Sequence, residues 1–132
     1  MEFKRPPETN DRVHQLGFGQ EISIPDGLQF VPYQKGLRVG VDIAILFDET
    51  EENPNGADCA FIRYQPNAYV PGHVHMGYET VLVLQGDYIE NGHTYLPGTF
   101  IVRAPGTCHS MSSKDGCIIL ASRYRPVKQL TG

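Results

Sequence analysis

The chain has 132 residues, a formal net charge of −4 and a pI near 5.7. It is long enough for one hydrophobic core, too short for two, and lacks the positive field that nucleic-acid binding requires. No stretch approaches the about 18 apolar residues of a membrane span, and the N-terminus "MEFKRPPETNDRVH" has no apolar signal segment, so a cytoplasmic protein is expected.

Fourteen glycines and ten prolines beside a 40% hydrophobic fraction point to short strands joined by turns. Residues 1–20 are polar and proline-bearing and read as a loosely held arm before a single domain over 21–132. "EISIPDGLQFVPY" predicts two short strands about a Pro-Asp-Gly turn. "LRVGVDIAILFDE" alternates, with Leu37, Val39, Val41, Ile43, Ile45 and Phe47 on one face and Arg38, Gly40 and Asp42 on the other. "TEENPNGAD" is an acidic, turn-rich loop, and "CAFIRYQP" is a strand stopped by Pro66. "PGHVHMGYETVLVLQG" predicts a strand bent at Met76-Gly77. Asn91-Gly92 marks a hairpin, and "TFIVRAP", "CHSMSS" and "GCIILASRY" are three further strands. No stretch carries a 3.6-residue apolar period. The expectation is an all-β chain of eight to ten short strands, a sandwich or small barrel.

Strand parity then locates the chemistry. His73 and His75 project to one face, and Glu79 shares the parity of Val81 and Val83. This places three ligand-type groups at the mouth of a cavity that the valines fill. Two imidazoles and a carboxylate suit a divalent first-row metal. His14 in the arm and His93 at the hairpin tip read as solvated. His109 follows "APGTC", a turn that aims it into the cavity from a neighbouring strand. Arg63, Tyr64, Tyr78, Tyr95 and Arg103 are polar groups near enough to reach the cavity, although adjacent Arg63 and Tyr64 cannot both line it. Cys59, Cys108 and Cys117 are odd in number and form no C-x-x-C, which fits free thiols in a reducing compartment. Tyr78, Thr80, Leu82 and Leu84 form an outward face too apolar for solvent. Either the N-terminal strands or another subunit covers it, and a homodimer is expected.

"HVHMGYETVLVLQG" resembles the first cupin motif, H-x-H-x(3,4)-E-x(6)-G, with His73, His75, Glu79 and Gly86 in place. "GTFIVRAPGTCH" resembles the second, with Gly98, Gly106 and His109. Over residues 35–125 or so the chain is similar to the small cupins grouped with the C-terminal domain of the zinc-binding anti-sigma factor ChrR. That group is in turn similar to cupin dioxygenases that cleave β-diketones. Asn67, Ala104 and Ser113 stand where the motifs usually carry glycine, proline and asparagine.

The resemblance implies a double-stranded β-helix (a jelly-roll-like barrel) and one divalent transition metal per chain, Fe, Zn, Mn or Ni, on His73, His75, Glu79 and His109. It also implies a small-molecule substrate, with Fe²⁺ a β-diketone or related carbonyl compound cleaved by O₂. Glu79, Arg63 and Tyr64 are the candidate catalytic residues. Glu79 is read as a ligand or as a base beside a three-histidine site. A four-ligand octahedral ion keeps two positions free, whereas tetrahedral Zn²⁺ is saturated. Two alternatives stay open. One is a zinc-binding sensor acting through protein contacts, although no helical segment here matches the sigma-binding part of ChrR. The other is an isomerase or lyase that uses the metal without O₂.

Overall fold

The computed structural model describes residues 11–17, 19–33 and 37–129; residues 1–10, the first half of the expected arm, lie outside them. The strands are β1 (Asp11–Gln15), β2 (Val31–Pro32), β3 (Val39–Asp48), β4 (Asp58–His75), β5 (Glu79–Gly86), β6 (Tyr88–Glu90), β7 (His93–Tyr95), β8 (Thr99–Arg103), β9 (Cys108–Ser113), β10 (Cys117–Arg123) and β11 (Val127–Gln129). No α-helix occurs among the described residues, and hence none long and apolar enough to cross a membrane.

Every ladder is antiparallel, and the strands join in one curled sheet in the order β1-β8-β5-β10-β4-β9-β6-β7. Strands β3 and β11 also pair with β4. The chain is the all-β double-stranded β-helix that was expected.

Period-two alternation sorts the two faces. Along β5, Glu79, Val81 and Val83 turn inward, and so do Thr99, Ile101 and Arg103 on β8 and Cys117, Ile119 and Ala121 on β10. They meet Val41, Tyr64, Val70, Tyr88 and Met111 in the main core. Val81, Val83, Ile101 and Ile119 are at most 2% exposed, each contributing about 1.5–3 kcal/mol by burial. The other face of β5 packs Leu82 and Leu84 beneath Ile24, Leu28 and Phe30. Leu82 and Leu84, half of the apolar face that suggested a second subunit, are therefore covered from within the same chain, whereas Tyr78 is exposed.

Three local expectations change. Pro66 does not end a strand: β4 runs through it for 18 residues. Up to Tyr64 the strand pairs with β10 and β3; from Ala68 onward it pairs with β9, with β3 again at Tyr69 and with β11 at residues 73–75. Pro66 sits where the partners change, so its missing N–H costs no ladder bond. Asn67 takes a left-handed φ of 64° there and donates its N–H to Lys114 O at 3.1 Å. Asparagine tolerates this conformation nearly as glycine does, so the departure from the usual motif glycine changes little.

Residues 21–24 form no ladder. They lie along β5, with Ile22 N–H donating to Leu84 O at 2.8 Å. In β3 only the middle of the alternating face is buried: Val41 and Ile43 are inside, whereas Leu37, Val39, Ile45 and Phe47 are exposed. Register shifts between Val39 and Val41 and between Ile45 and Phe47 break the period at both ends. At the N-terminus, residues 11–15 pair with β8 as β1.

Candidate metal centre

The central strand carries the H-x-H pair at its C-terminal end, and β9 delivers the third histidine directly opposite, His73 facing His109 in register. The turn at Ala104–Thr107 holds this end closed. Gly106 N–H donates to His75 O at 2.7 Å, and His75 N–H donates to Thr107 O at 2.9 Å. The Pro-Gly turn before His109 thus clasps one histidine while aiming another.

His73, His75 and His109 are all buried, and one ligand atom from each lies within 4.8 Å of the others. His73 Nδ1 donates to Pro71 O at 3.0 Å, which leaves its Nε2 as a lone pair. The Nε2 atoms of His75 and His109 face each other at 2.7 Å, with their rings stacked 7° from parallel. Two imidazole lone pairs this close repel unless a cation or proton lies between them. The donor set therefore fits a borderline divalent metal.

Burial lowers the pKa of His73 to about 4, assisted by the nearby His109. Burial, again with His109 and then Arg103, lowers that of His75 to about 3. Both rings are neutral, as ligands must be, far below the usual histidine range.

Glu79 turns inward and is 8% exposed. Its Oε1 lies 3.6 Å from His75 Nε2 and accepts the N–H of Arg103 Nε at 3.1 Å. Arg103 is completely buried. Its other arms reach Glu90, with Nη1 donating to Oε2 at 2.6 Å and Nη2 contacting Oε1, and Nη2 also donates to Tyr88 OH at 3.3 Å. Glu90 Oε1 lies 3.0 Å from His109 Nδ1, off the line of the ring N–H. Burial alone would raise the Glu90 carboxyl, but His109 and Arg103 outweigh it and hold it near about 2. A carboxylate behind a histidine fixes its tautomer and turns Nε2 towards the ion.

Glu90 was not foreseen. It stands beside Asn91-Gly92, where a hairpin tip reads as solvated, yet it shares parity with inward Tyr88 and pairs with Met111 on β9. That parity was the available signal. The hairpin itself is as expected, Asn91 and Gly92 having φ of 49° and 80°.

Tyr64 is buried, packs edge-on against Tyr88 at 6.3 Å, and borders a cavity of about 40 Å³ with Val81, Met111, Ile119, His73, His109 and Glu79. Burial, then the charges of Cys117 and Glu79, raise its hydroxyl far above the ordinary tyrosine value. Arg63 projects to the opposite face, pairs with Asp42 at 3.1 Å and lies over the Phe30 ring at 4.2 Å. It does not reach the histidines. Tyr78 is exposed and meets Tyr124 at 6.3 Å, while Tyr95 packs from the rim of the core against Tyr88.

His14 and His93 are exposed. Cys108 is an exposed free thiol. Cys117 is buried in the core, its pKa raised by burial to about 12.

A double-stranded β-helix holding three histidines from an H-x-H pair and a facing strand is a cupin with a site able to bind a metal ion. Residues 22–126 match the ChrR cupin-like domain family, and the chain belongs to it. No curated protein matches.

Among solved structures, an acetylacetone dioxygenase from Acinetobacter johnsonii superimposes with a TM-score of 0.70 at 13% identity, over 99% of this chain and 85% of that one. The polyketide cyclase RemF from Streptomyces resistomycificus gives 0.67 at 16%, over 86% and 87%. ChrR bound to SigE, from Rhodobacter sphaeroides, gives 0.60 at 23%, over 74% of this chain and half of that one. At these identities the likeness establishes the fold.

Proposed function

We propose that the protein is a divalent-metal-dependent enzyme of the dioxygenase type that cleaves a carbon–carbon bond in a small β-diketone or related carbonyl compound. The observation that carries this reading is the engagement of Glu79, whose Oε1 is taken up by Arg103 at 3.1 Å. That contact favours three histidine ligands and open coordination positions towards the cavity, the condition for a catalytic site. Bound there, Fe²⁺ supplies Lewis acidity towards the substrate's oxygens and a redox centre for O₂.

The protein's groups do the rest. Glu79, on the cavity wall, takes the proton from the carbon between the two carbonyls. Arg103 holds that carboxylate in place. Tyr64 keeps its proton and donates a hydrogen bond to a substrate oxygen. Arg103 offsets one of the two buried carboxylates, so a divalent ion on neutral imidazoles leaves one net positive charge, matching a singly charged enolate. Val81, Met111 and Ile119 keep the space apolar.

The test combines elemental analysis, X-ray absorption and oxygen uptake with acetylacetone on wild type and Glu79→Gln. The expected result is a five- or six-coordinate metal with three imidazoles, retained in E79Q while oxygen uptake falls by at least about 100-fold. A four-coordinate zinc without water in wild type, lost in E79Q, would instead support a sensor acting through protein contacts, as the SigE-bound ChrR fold relative does.

A further inference from the structure

Beside the metal cavity lies a second and larger space, a groove of about 430 Å³. Its lining is mainly apolar, with Val31 and Pro32 from β2, Ile43 and Ile45 from β3, and Ala60 from β4, alongside the polar Asp48, Thr50 and Asp58. Tyr33, Arg38, Arg123 and Val127 border both this groove and the metal cavity. They form the wall between the two.

At the centre of that wall stands Tyr33, packed against the main core. Tyr33 is pinned through its backbone, its N–H donating to Val41 O at 2.8 Å. Its ring is held by Arg38 at 4.6 Å from the ring centroid and by one hydrogen bond, in which Arg123 Nη2 donates to the hydroxyl at 3.3 Å. Arg123 is itself anchored by Asp58 at 3.0 and 2.6 Å. Turning the Tyr33 ring therefore gives up one modest hydrogen bond, a cation–π contact and its packing against the main core, while its backbone hydrogen bond stays in place.

Size makes the wall matter. The metal cavity, about 40 Å³, is near a quarter of the roughly 150 Å³ that admits a benzene ring. A diketone has more non-hydrogen atoms than benzene and cannot sit wholly inside. The groove has the volume, a mainly apolar lining and a common border with the cavity that His73 and His109 line. We infer that it is the subsite for the apolar body of the substrate, and that the natural substrate is a 1,3-dicarbonyl carrying an aryl or extended alkyl substituent rather than acetylacetone itself. The dicarbonyl end passes the Tyr33 wall to the metal while the substituent lies along Ile43, Ile45 and Val31. This inference rests on the diketone reading above and adds the size and polarity of the substrate.

The test is calorimetric binding of acetylacetone and of 1-phenylbutane-1,3-dione to Ni²⁺-loaded protein under argon, so that no turnover intervenes. The phenyl compound is expected to bind about tenfold tighter or more, from the apolar area its ring buries. Ile45 and Val31 are more than half exposed, at 56% and 53%, so Ile45→Glu and Val31→Glu are compatible with folding, checked by nickel content. Each is expected to bring the preference for the phenyl compound close to one.

Equal affinity of wild type for the two compounds, or a preference that survives both substitutions, would overturn the groove assignment and leave the diketone reading standing. No binding of either compound would overturn the diketone reading, and the groove assignment with it.

Discussion

Two residues with no histidine chemistry of their own govern this site: Arg103 and Glu90. Arg103 is buried without a trace of exposure between two carboxylates, so removing Glu90 strips both terminal guanidinium nitrogens of their carboxylate acceptors in the core. Glu90→Ala is expected to cost about 3–5 kcal/mol in urea denaturation. Glu90→Gln keeps the shape but not the charge, and should weaken metal affinity about 10- to 100-fold by chelator competition. His75→Ala is expected to lose most bound metal in elemental analysis; full occupancy in that variant would remove it from the ligand set. The convergence of the three histidines was legible in the sequence because parity and a turn suffice to aim three rings. The Arg103–Glu90 pair was not, because its members come from different strands and meet only when β6 and β8 face the same cavity.

At the scale of elements, β4 and β9 carry the histidines, and the junction of β5 with β10 packs backbone against backbone at Gly86. Gly86, the last residue of the first motif, has a φ of 77°, and a Cβ there would lie 2.0 Å from Gly116 O. Gly86→Ala is therefore expected to cost about 3 kcal/mol or more in a denaturant midpoint, from left-handed strain and a backbone collision together. Pro66 should be the opposite case. At the change of partners in β4 it displaces no ladder bond, so Pro66→Ala is expected to cost at most about 1 kcal/mol, mainly through the freer unfolded chain. A larger loss would mean that Pro66 shapes the bulge at Asn67. Ser113, where the family motif usually has asparagine, anchors the same end of the barrel by donating to Asp87 O at 2.8 Å.

For the whole molecule, the metal-free site couples folding to pH. The pKa values of His73 and His75 are near about 4 and 3 when folded, against about 6.5 in an unfolded chain. Between these limits the unfolded chain binds more protons, so the stability of the metal-free protein falls as pH drops from about 6.5. Glu90, held near about 2, adds a loss of the same sign below about pH 4.5. Thermal melts of metal-free protein from pH 7.5 to 4 are expected to show Tm falling steadily below pH 6.5. At pH 7, divalent metal at 100 times its dissociation constant should stabilise by about 2.7 kcal/mol. A flat Tm across that range, or no shift with metal, would argue against three buried imidazoles sharing one ion.

Local chemistry was enough for most of the strands (β1 excepted), the hairpin at Asn91-Gly92 and the inward aim of His73, His75 and His109, since each depends on period-two geometry or on a turn a few residues long. Three things needed the assembled sheet: the passage of β4 through Pro66, the burial of Leu82 and Leu84 beneath residues 24–30, and the hold of Arg103 on Glu79. Each depends on which distant strand comes alongside, a property of the ladder as a whole. The last of them bears directly on the site, because it fixes one oxygen of Glu79 beside the histidines through a fully buried guanidinium.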